Sequence, residues 1–242
     1  MRPSSSERVG TLTSLTDMVR GEMDRMRGLA PAQLTAERKL NDEDVAMVDV
    51  GAERYLAAIP KRHRMSTLRD YRPATESQSQ ARQEVAQWIR HVGDEIPSMV
   101  ALIGSTGTGK SHLLYAAARA LLAAGHRPYV RAWYELADVL RYGGRSAYSR
   151  TMLEPQEARA QLHEATIVLL DEVRPTAGTQ FDDMELTKAA CAWYDRAVPV
   201  LITTNVSPLA DVLGPAGASR FLQLVVTGPD YRDPSVALAN TA

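Results

Sequence analysis

The stretch that most constrains the fold is residues 99–112, Met-Val-Ala-Leu-Ile-Gly-Ser-Thr-Gly-Thr-Gly-Lys-Ser-His. Gly104 to Ser111 satisfies the pattern G-x-x-x-x-G-K-[ST] of a phosphate-binding loop. The apolar run Val100 to Ile103 precedes it, as a buried strand would, and an Ala/Leu-rich helical pattern from Leu113 to Ala124 follows. Glycines let such a loop wrap a phosphate chain with successive backbone N–H groups pointing inward. The helix start adds its positive end. The expected nucleotide cradle is Gly104, Ser105, Thr106, Gly107, Thr108, Gly109, Lys110 and Ser111, with His112 next to it. Lys110 is expected to reach the β- and γ-phosphates of ATP or GTP, and the Ser111 hydroxyl to ligate Mg2+.

The bulk composition sets the outer limits. The 242 residues suffice for one large α/β domain with an appendage. An apolar share of 45% and a charged share of 24% are those of a soluble globular protein. No apolar run is long enough to span a bilayer, and the start, Met-Arg-Pro-Ser-Ser-Ser-Glu, lacks the apolar centre of a secretion signal. The single cysteine, Cys191, reads as a small buried hydrophobe, so the cytoplasm is the expected compartment. A net charge of −1 excludes a bulk nucleic-acid binder and leaves room only for local basic patches.

Residues 1–74 are expected to form a helical, partner-binding region and a basic linker, and residues 75–242 the nucleotide-binding domain. Apolar residues at helical spacing recur from Leu12 to Met26 and again from Val45 to Ile59. The stretch Pro-Lys-Arg-His-Arg-Met-Ser-Thr-Leu-Arg-Asp-Tyr-Arg, residues 60–72, carries five Lys or Arg side chains against one Asp, and could equally be a solvated linker. Thr75-Glu-Ser-Gln78 is a capping box, and the helix after it puts Ala81, Val85, Trp88, Ile89 and Val92 on one face.

Beyond the loop, strands at Pro128–Ala132, Thr166–Glu172, Pro199–Asn205 and Phe221–Thr227 alternate with helices at Trp133–Tyr142, Pro155–Glu164 and Asp182–Ala197. The last of these aligns Met184, Ala189 or Ala190, Trp193 and Tyr194. Ser207-Pro208 starts a short helix. Alternation of this kind predicts an α/β fold with a parallel sheet between two helical layers.

Hydrolysis needs a metal-organising carboxylate and a group that handles water. Asp171 and Glu172 end a buried strand, where open α/β sheets place their ligands. Asp171 is expected to hold Mg2+ and Glu172 to activate the attacking water. Asn205 ends another buried strand and could bridge the γ-phosphate and that water, or cap the helix at Ser207. Arg220, in Gly-Ala-Ser-Arg-Phe, could be a finger for a neighbouring subunit's nucleotide or a surface salt bridge.

The order phosphate loop, Leu-Leu-Asp-Glu, Thr-Thr-Asn, Ser-Arg-Phe resembles that of AAA+ ATPases of the initiator and helicase-loader clade. More narrowly it is similar to the DnaC-type helicase loaders and their IstB-type relatives. The lead-in from Ile59 to Tyr71 and the terminal Gly228-Pro-Asp-Tyr-Arg232 look like those of the same family, so the resemblance covers residues 53–232. It implies a P-loop AAA+ core with a five-stranded sheet of order 5-1-4-3-2 and no C-terminal lid. Within it Gly104–Ser111 would be the Walker A loop, Asp171 and Glu172 Walker B, Asn205 sensor 1, Arg220 the arginine finger and Arg232 a sensor-2-like group touching the nucleotide. Initiator-type members contact single-stranded DNA with helices inserted between the second and third strands. Arg141, Arg145 and Arg150, interleaved with Tyr142 and Tyr148, suit phosphates and stacked bases there.

The function implied is an Mg2+-dependent ATPase that loads a hexameric replicative helicase, binds single-stranded DNA and self-associates through the Arg220 face, away from any membrane. A transposition helper acting on duplex DNA is the alternative within the family. A small-molecule kinase shares the phosphate loop but not the Asp-Glu strand end with Thr-Thr-Asn.

Overall fold

The structure, a computed structural model, describes residues 59–94, 98–143, 153–175 and 180–232. Five strands form one parallel sheet: β1 (Met99–Ile103), β2 (Tyr129–Ala132), β3 (Val168–Asp171), β4 (Val200–Thr204) and β5 (Leu222–Val225). Their order, β2-β3-β4-β1-β5, is the expected 5-1-4-3-2 seen from the other edge. Among the described residues six α-helices flank the sheet: α1 (Glu76–Arg90), α2 (Lys110–Ala123), α3 (Trp133–Tyr142), α4 (Pro155–Glu164), α5 (Gln180–Asp195) and α6 (Ala210–Ala218).

The near-continuous apolar runs of β1, β3 and β4 are explained by burial on both faces. Alternate side chains split between two cores. Met99, Ala101 and Ile103 of β1, with Val168, Leu170, Val200 and Ile202, pack against α3 to α6. Val100, Leu102, Leu169 and Leu201 pack on the other side, against α1 and α2. Helix α2 is buried almost all round, from Leu113 to Ala123. That explains its Ala/Leu composition, since a helix with no solvated stripe needs none of the usual charged positions.

Several sequence expectations change. The lead-in does not behave as a solvated linker: it forms a 3-10 turn, Lys61–His63, and buries Ile59 and Tyr71 in the core with α1 and α2. The capping box is not reciprocal. The Gln78 N–H donates to Thr75 Oγ1, but the Gln78 side chain accepts from the Ala74 N–H instead of the cap residue. On α5 the buried face is Leu186, Ala189, Ala190 and Trp193, while Met184 and Tyr194 are exposed. Helix α6 begins two residues after Pro208, once Leu209 is anchored in the core. Cys191 is half-buried, not sealed in. The helical patterns from Leu12 to Met26 and from Val45 onward lie outside the described residues, apart from Ile59 at the end of the second.

Trp193 fills the core between α4 and α5 with no exposed surface, and its indole N–H donates to Leu162 O at 3.1 Å. Trp193→Ala is expected to cost about 3–5 kcal/mol in urea denaturation. Met184→Ala, on the exposed face of the same helix, should stay within about 0.5 kcal/mol of wild type.

Candidate active site

The sheet order decides where the polar strand ends meet. β1 lies between β4 and β5, and the Gly104 N–H donates to Thr204 O at 3.1 Å, so the phosphate loop leaves the sheet beside the end of β4. The register pairing Leu170 with Ile202 carries Asp171 alongside Thr203. The resulting cleft, of about 370 Å³, is lined on one side by Thr106, Gly107, Gly109, Lys110, Ser111 and His112. Glu172, Thr203 and Asn205 form the strand-end wall, and Arg62, His63, Tyr71, Arg72, Tyr231 and Arg232 come from the two ends of the described chain.

Bonded to the lining residues Ser111 and Thr203 is Asp171, 3% exposed. Its Oδ1 accepts the Ser111 hydroxyl at 2.8 Å and the Thr203 hydroxyl at 2.6 Å. The same Thr203 oxygen accepts the Glu172 N–H at 2.9 Å. Glu172 has φ of +55°, a left-handed conformation that costs a non-glycine residue about 1–2 kcal/mol. The bonds from Thr203 to the Glu172 and Val173 peptides hold it there, and the turn brings Glu172 to the cleft. Burial, then the charge of the Asp171 carboxylate, pushes the Tyr115 phenol well above its usual range.

Lys110 is buried, with its ammonium donating to Gly104 O and Ser105 O at 2.8 Å each. Burial pulls its pKa down, while the Asp171 and Glu172 carboxylates oppose the shift. The loop's glycines meet neighbouring segments as well as any phosphate. Thr108 O, for example, accepts the Tyr71 hydroxyl at 3.2 Å.

Ser111 and Asp171 together offer a hydroxyl and a carboxylate oxygen, the donor set that suits a hard cation such as Mg2+. Among the described residues no cluster of three His, Cys, Asp or Glu exists.

Of the expected residues, Thr106, Gly107, Gly109, Lys110 and Ser111 line one cleft with Glu172, Asn205 and Arg232, while Asp171 does not line it and joins through its bonds to Ser111 and Thr203. His112 joins the cleft, although its Nε2 is occupied by Thr67 O at 2.9 Å. Arg220 does not line the cleft. It folds back on Ala216 O, with its guanidinium over the Tyr194 ring, 5.3 Å from the centroid. Arg141 ends α3, while Arg145, Tyr148 and Arg150 lie outside the described residues. The sequence reading missed Thr203, Tyr115, His63, Tyr71 and Tyr231. For Thr203 a signal was present, since a buried strand rarely ends on two threonines without a polar neighbour to satisfy them.

A five-stranded parallel sheet in this order, with a phosphate-loop sequence after β1 and Asp-Glu at the end of β3, is an α/β P-loop fold. Solved structures of DnaC, DnaI and DnaA share this fold. A DnaC helicase loader is similar at 20% identity and a TM-score of 0.59, over 69% of this chain and 100% of that one. DnaI is similar at 18% identity and a TM-score of 0.55, over 73% and 98%. A replication initiator DnaA bound to AMPPCP and single-stranded DNA matches at 20% identity and a TM-score of 0.56, over 71% of this chain and 51% of that one. No family model and no curated relative matches the sequence.

His63 ties the lead-in to this site. Its ring stacks on Tyr115 at 5.0 Å, its Nε2 accepts from Arg62 and its Nδ1 lies 3.3 Å from Ser66 Oγ. Burial, then the Arg62 cation, lower its pKa to about 4, against the pull of Asp171. The folded chain therefore resists protonating His63 while the unfolded chain takes up the proton below about 6.5. This contribution to stability is complete above that pH and is lost as pH falls toward about 4. The drop in urea midpoint between pH 7 and pH 5 should be smaller for His63→Gln than for wild type.

Proposed function

We propose that this chain is an Mg2+-dependent ATPase of the AAA+ type that serves DNA replication as an ATP-switched loader of a hexameric helicase, in contact with single-stranded DNA. The observation that carries the ATPase reading is the bonded path from Ser111 through Asp171 and Thr203 to the Glu172 peptide, at the mouth of a phosphate loop. On this reading Ser111 and Asp171 supply two oxygens for a cation and Glu172 the carboxylate for water.

In this reading the N–H groups of Gly107 to Ser111 cradle the phosphates. Lys110 exchanges its two loop carbonyls for β- and γ-phosphate oxygens. Mg2+, held by Ser111 and Asp171, would supply neutralisation of the charge that builds on the phosphates. Glu172 takes the proton of the attacking water, and its strained backbone fixes where that carboxylate points. Asn205 orients the water against the γ-phosphate, and Arg232 contacts the nucleotide from the tail. Arg220, outside the chain's own cleft, reaches the nucleotide of a neighbouring copy.

The helicase-loading part of the reading is supported by fold likeness to a helicase loader and to an initiator bound to single-stranded DNA. The segment upstream of Ile59 is assigned as the partner-binding module, and the ATPase domain as beginning with the packed lead-in. Residues 141–150 are assigned to DNA. The chain is assigned to the cytoplasm; among the described residues no helix is long and apolar enough to cross a membrane.

Glu172→Gln is expected to lower kcat for ATP hydrolysis by about 100-fold or more while ATP still binds. Lys110→Ala should lose ATP binding itself. A pull-down with the cognate replicative helicase, run with ATP and with ADP, should retain the helicase in one nucleotide state only, and Arg220→Ala should abolish the difference. Undiminished hydrolysis by Glu172→Gln would sink the ATPase reading. Equal helicase retention in both states, or preference for duplex over single-stranded DNA, would sink the loader.

A further inference from the structure

The polar segment after β5 does not run off into solvent. Thr227 O accepts the Thr75 hydroxyl at 2.7 Å, which ties it to the start of α1. Tyr231 then lies across the phosphate loop. Its N–H donates to Gly107 O at 3.1 Å. Its phenol has one proton to give and two acceptors in reach, Arg72 O at 2.7 Å and Gln78 Oε1 at 2.9 Å.

Gln78 is fully buried and spends its amide on three chain segments. Oε1 takes the Ala74 N–H at 2.7 Å as well as the phenol, which fixes which end of the amide is oxygen. Nε2 donates to Thr108 O at 3.3 Å. Lead-in, phosphate loop and tail therefore meet on one amide and one phenol. Two glycines make the approach possible. At Gly228, φ +152°, a Cβ would stand 2.3 Å from Gln78 Nε2, and at Gly107, φ +87°, 1.7 Å from Asp230 Oδ1. Asp230 in turn holds Arg232, with Nε 3.2 Å from Oδ1, and Tyr231 and Arg232 both line the cleft.

The bonds fall on the loop's own carbonyls, at Gly107 and, through Gln78, Thr108. A segment packed only for stability could have ended on the helix α1 or the sheet edge. Fixing these two peptides fixes the neighbouring N–H groups that a phosphate meets, so their geometry is set before the nucleotide arrives.

We propose that Tyr231 is a positioning residue for nucleotide binding: it straps residues 228–232 over the phosphate loop, orders the Gly107 and Thr108 peptides and sets Arg232 at the rim of the cleft. The proposal rests on the nucleotide-site reading above and assigns the phenol a role in it.

The test uses the full chain with Mg2+ and ATP, comparing Tyr231→Phe with wild type in equilibrium ATP binding and in steady-state hydrolysis. Tyr231→Phe should weaken ATP binding about tenfold, as expected for one or two lost hydrogen bonds, with the rise in KM exceeding the fall in kcat. Gln78→Met keeps the volume and removes the shared acceptor, so the double variant should lose no more than the worse single one. Gly228→Ala, which lifts the strap from outside the cleft, should reproduce the loss if Gln78→Met does not fold. Additive losses, or a lowered melting temperature with unchanged KM, overturn the proposal. Failure of the wild-type chain to bind ATP overturns the site reading and the strap together. Wild-type affinity in Tyr231→Phe overturns the strap alone.

Discussion

One carboxylate oxygen organises this molecule. Asp171 Oδ1 receives the hydroxyls of Ser111 and Thr203 in a position nearly closed to water. A buried carboxylate left without donors is costly enough that the fold must either satisfy it or protonate it. Satisfying it requires three elements to end at one point: the first turn of α2, the end of β3 and the end of β4. The parallel sheet, with β4 between β1 and β3, brings those ends together. Thr203 shows how tightly the requirement is drawn. Its hydroxyl donates to Asp171 and accepts from Glu172, so valine would fill the space and break both bonds.

The demand spreads outward through α2. Because that helix begins at Lys110 within the loop, any tilt of it moves the cradle, and the chain buries it on nearly every side. The sheet and α1 cover part of the surface. The lead-in covers the rest, with His63 stacked on Tyr115, Arg119 donating to Ser66 O and the His112 ring bonded to Thr67 O. The lead-in is thus a wall of the cleft, and its many cations are carried on a fixed support.

Much of this was readable in the residues. Buried parallel strands must be apolar on both faces, so β1, β3 and β4 announced themselves, and polar groups at their C-terminal ends stood out against that background. The same reasoning failed where few side chains are buried. In the lead-in only Ile59 and Tyr71 enter the core, and most other anchors are backbone carbonyls, which no side-chain pattern reports. The tail is held in the same way, through Thr227 O and Gly107 O. On α5, Met184 and Tyr194 mimicked an apolar stripe, but Leu186, Ala189, Ala190 and Trp193 define the buried face. Small residues count for little in a hydrophobic pattern, yet here they allow close packing against α6.

The sheet leaves one side of the cleft to be closed by other segments. Here both ends of the described chain do so. Tyr71, Arg72, Tyr231 and Arg232 stand along that side, and the Tyr231 phenol on Arg72 O joins the lead-in to the tail directly. Because Tyr71 and Gln78 both bond to Thr108 O, the closure is fastened to the peptide that precedes Gly109 and Lys110. A shift of the loop therefore works against bonds that hold the lead-in. This linkage joins loop, lead-in and tail by contiguous hydrogen bonds. It runs through backbone carbonyls, so it constrains the shape of the three segments more than the identity of their side chains.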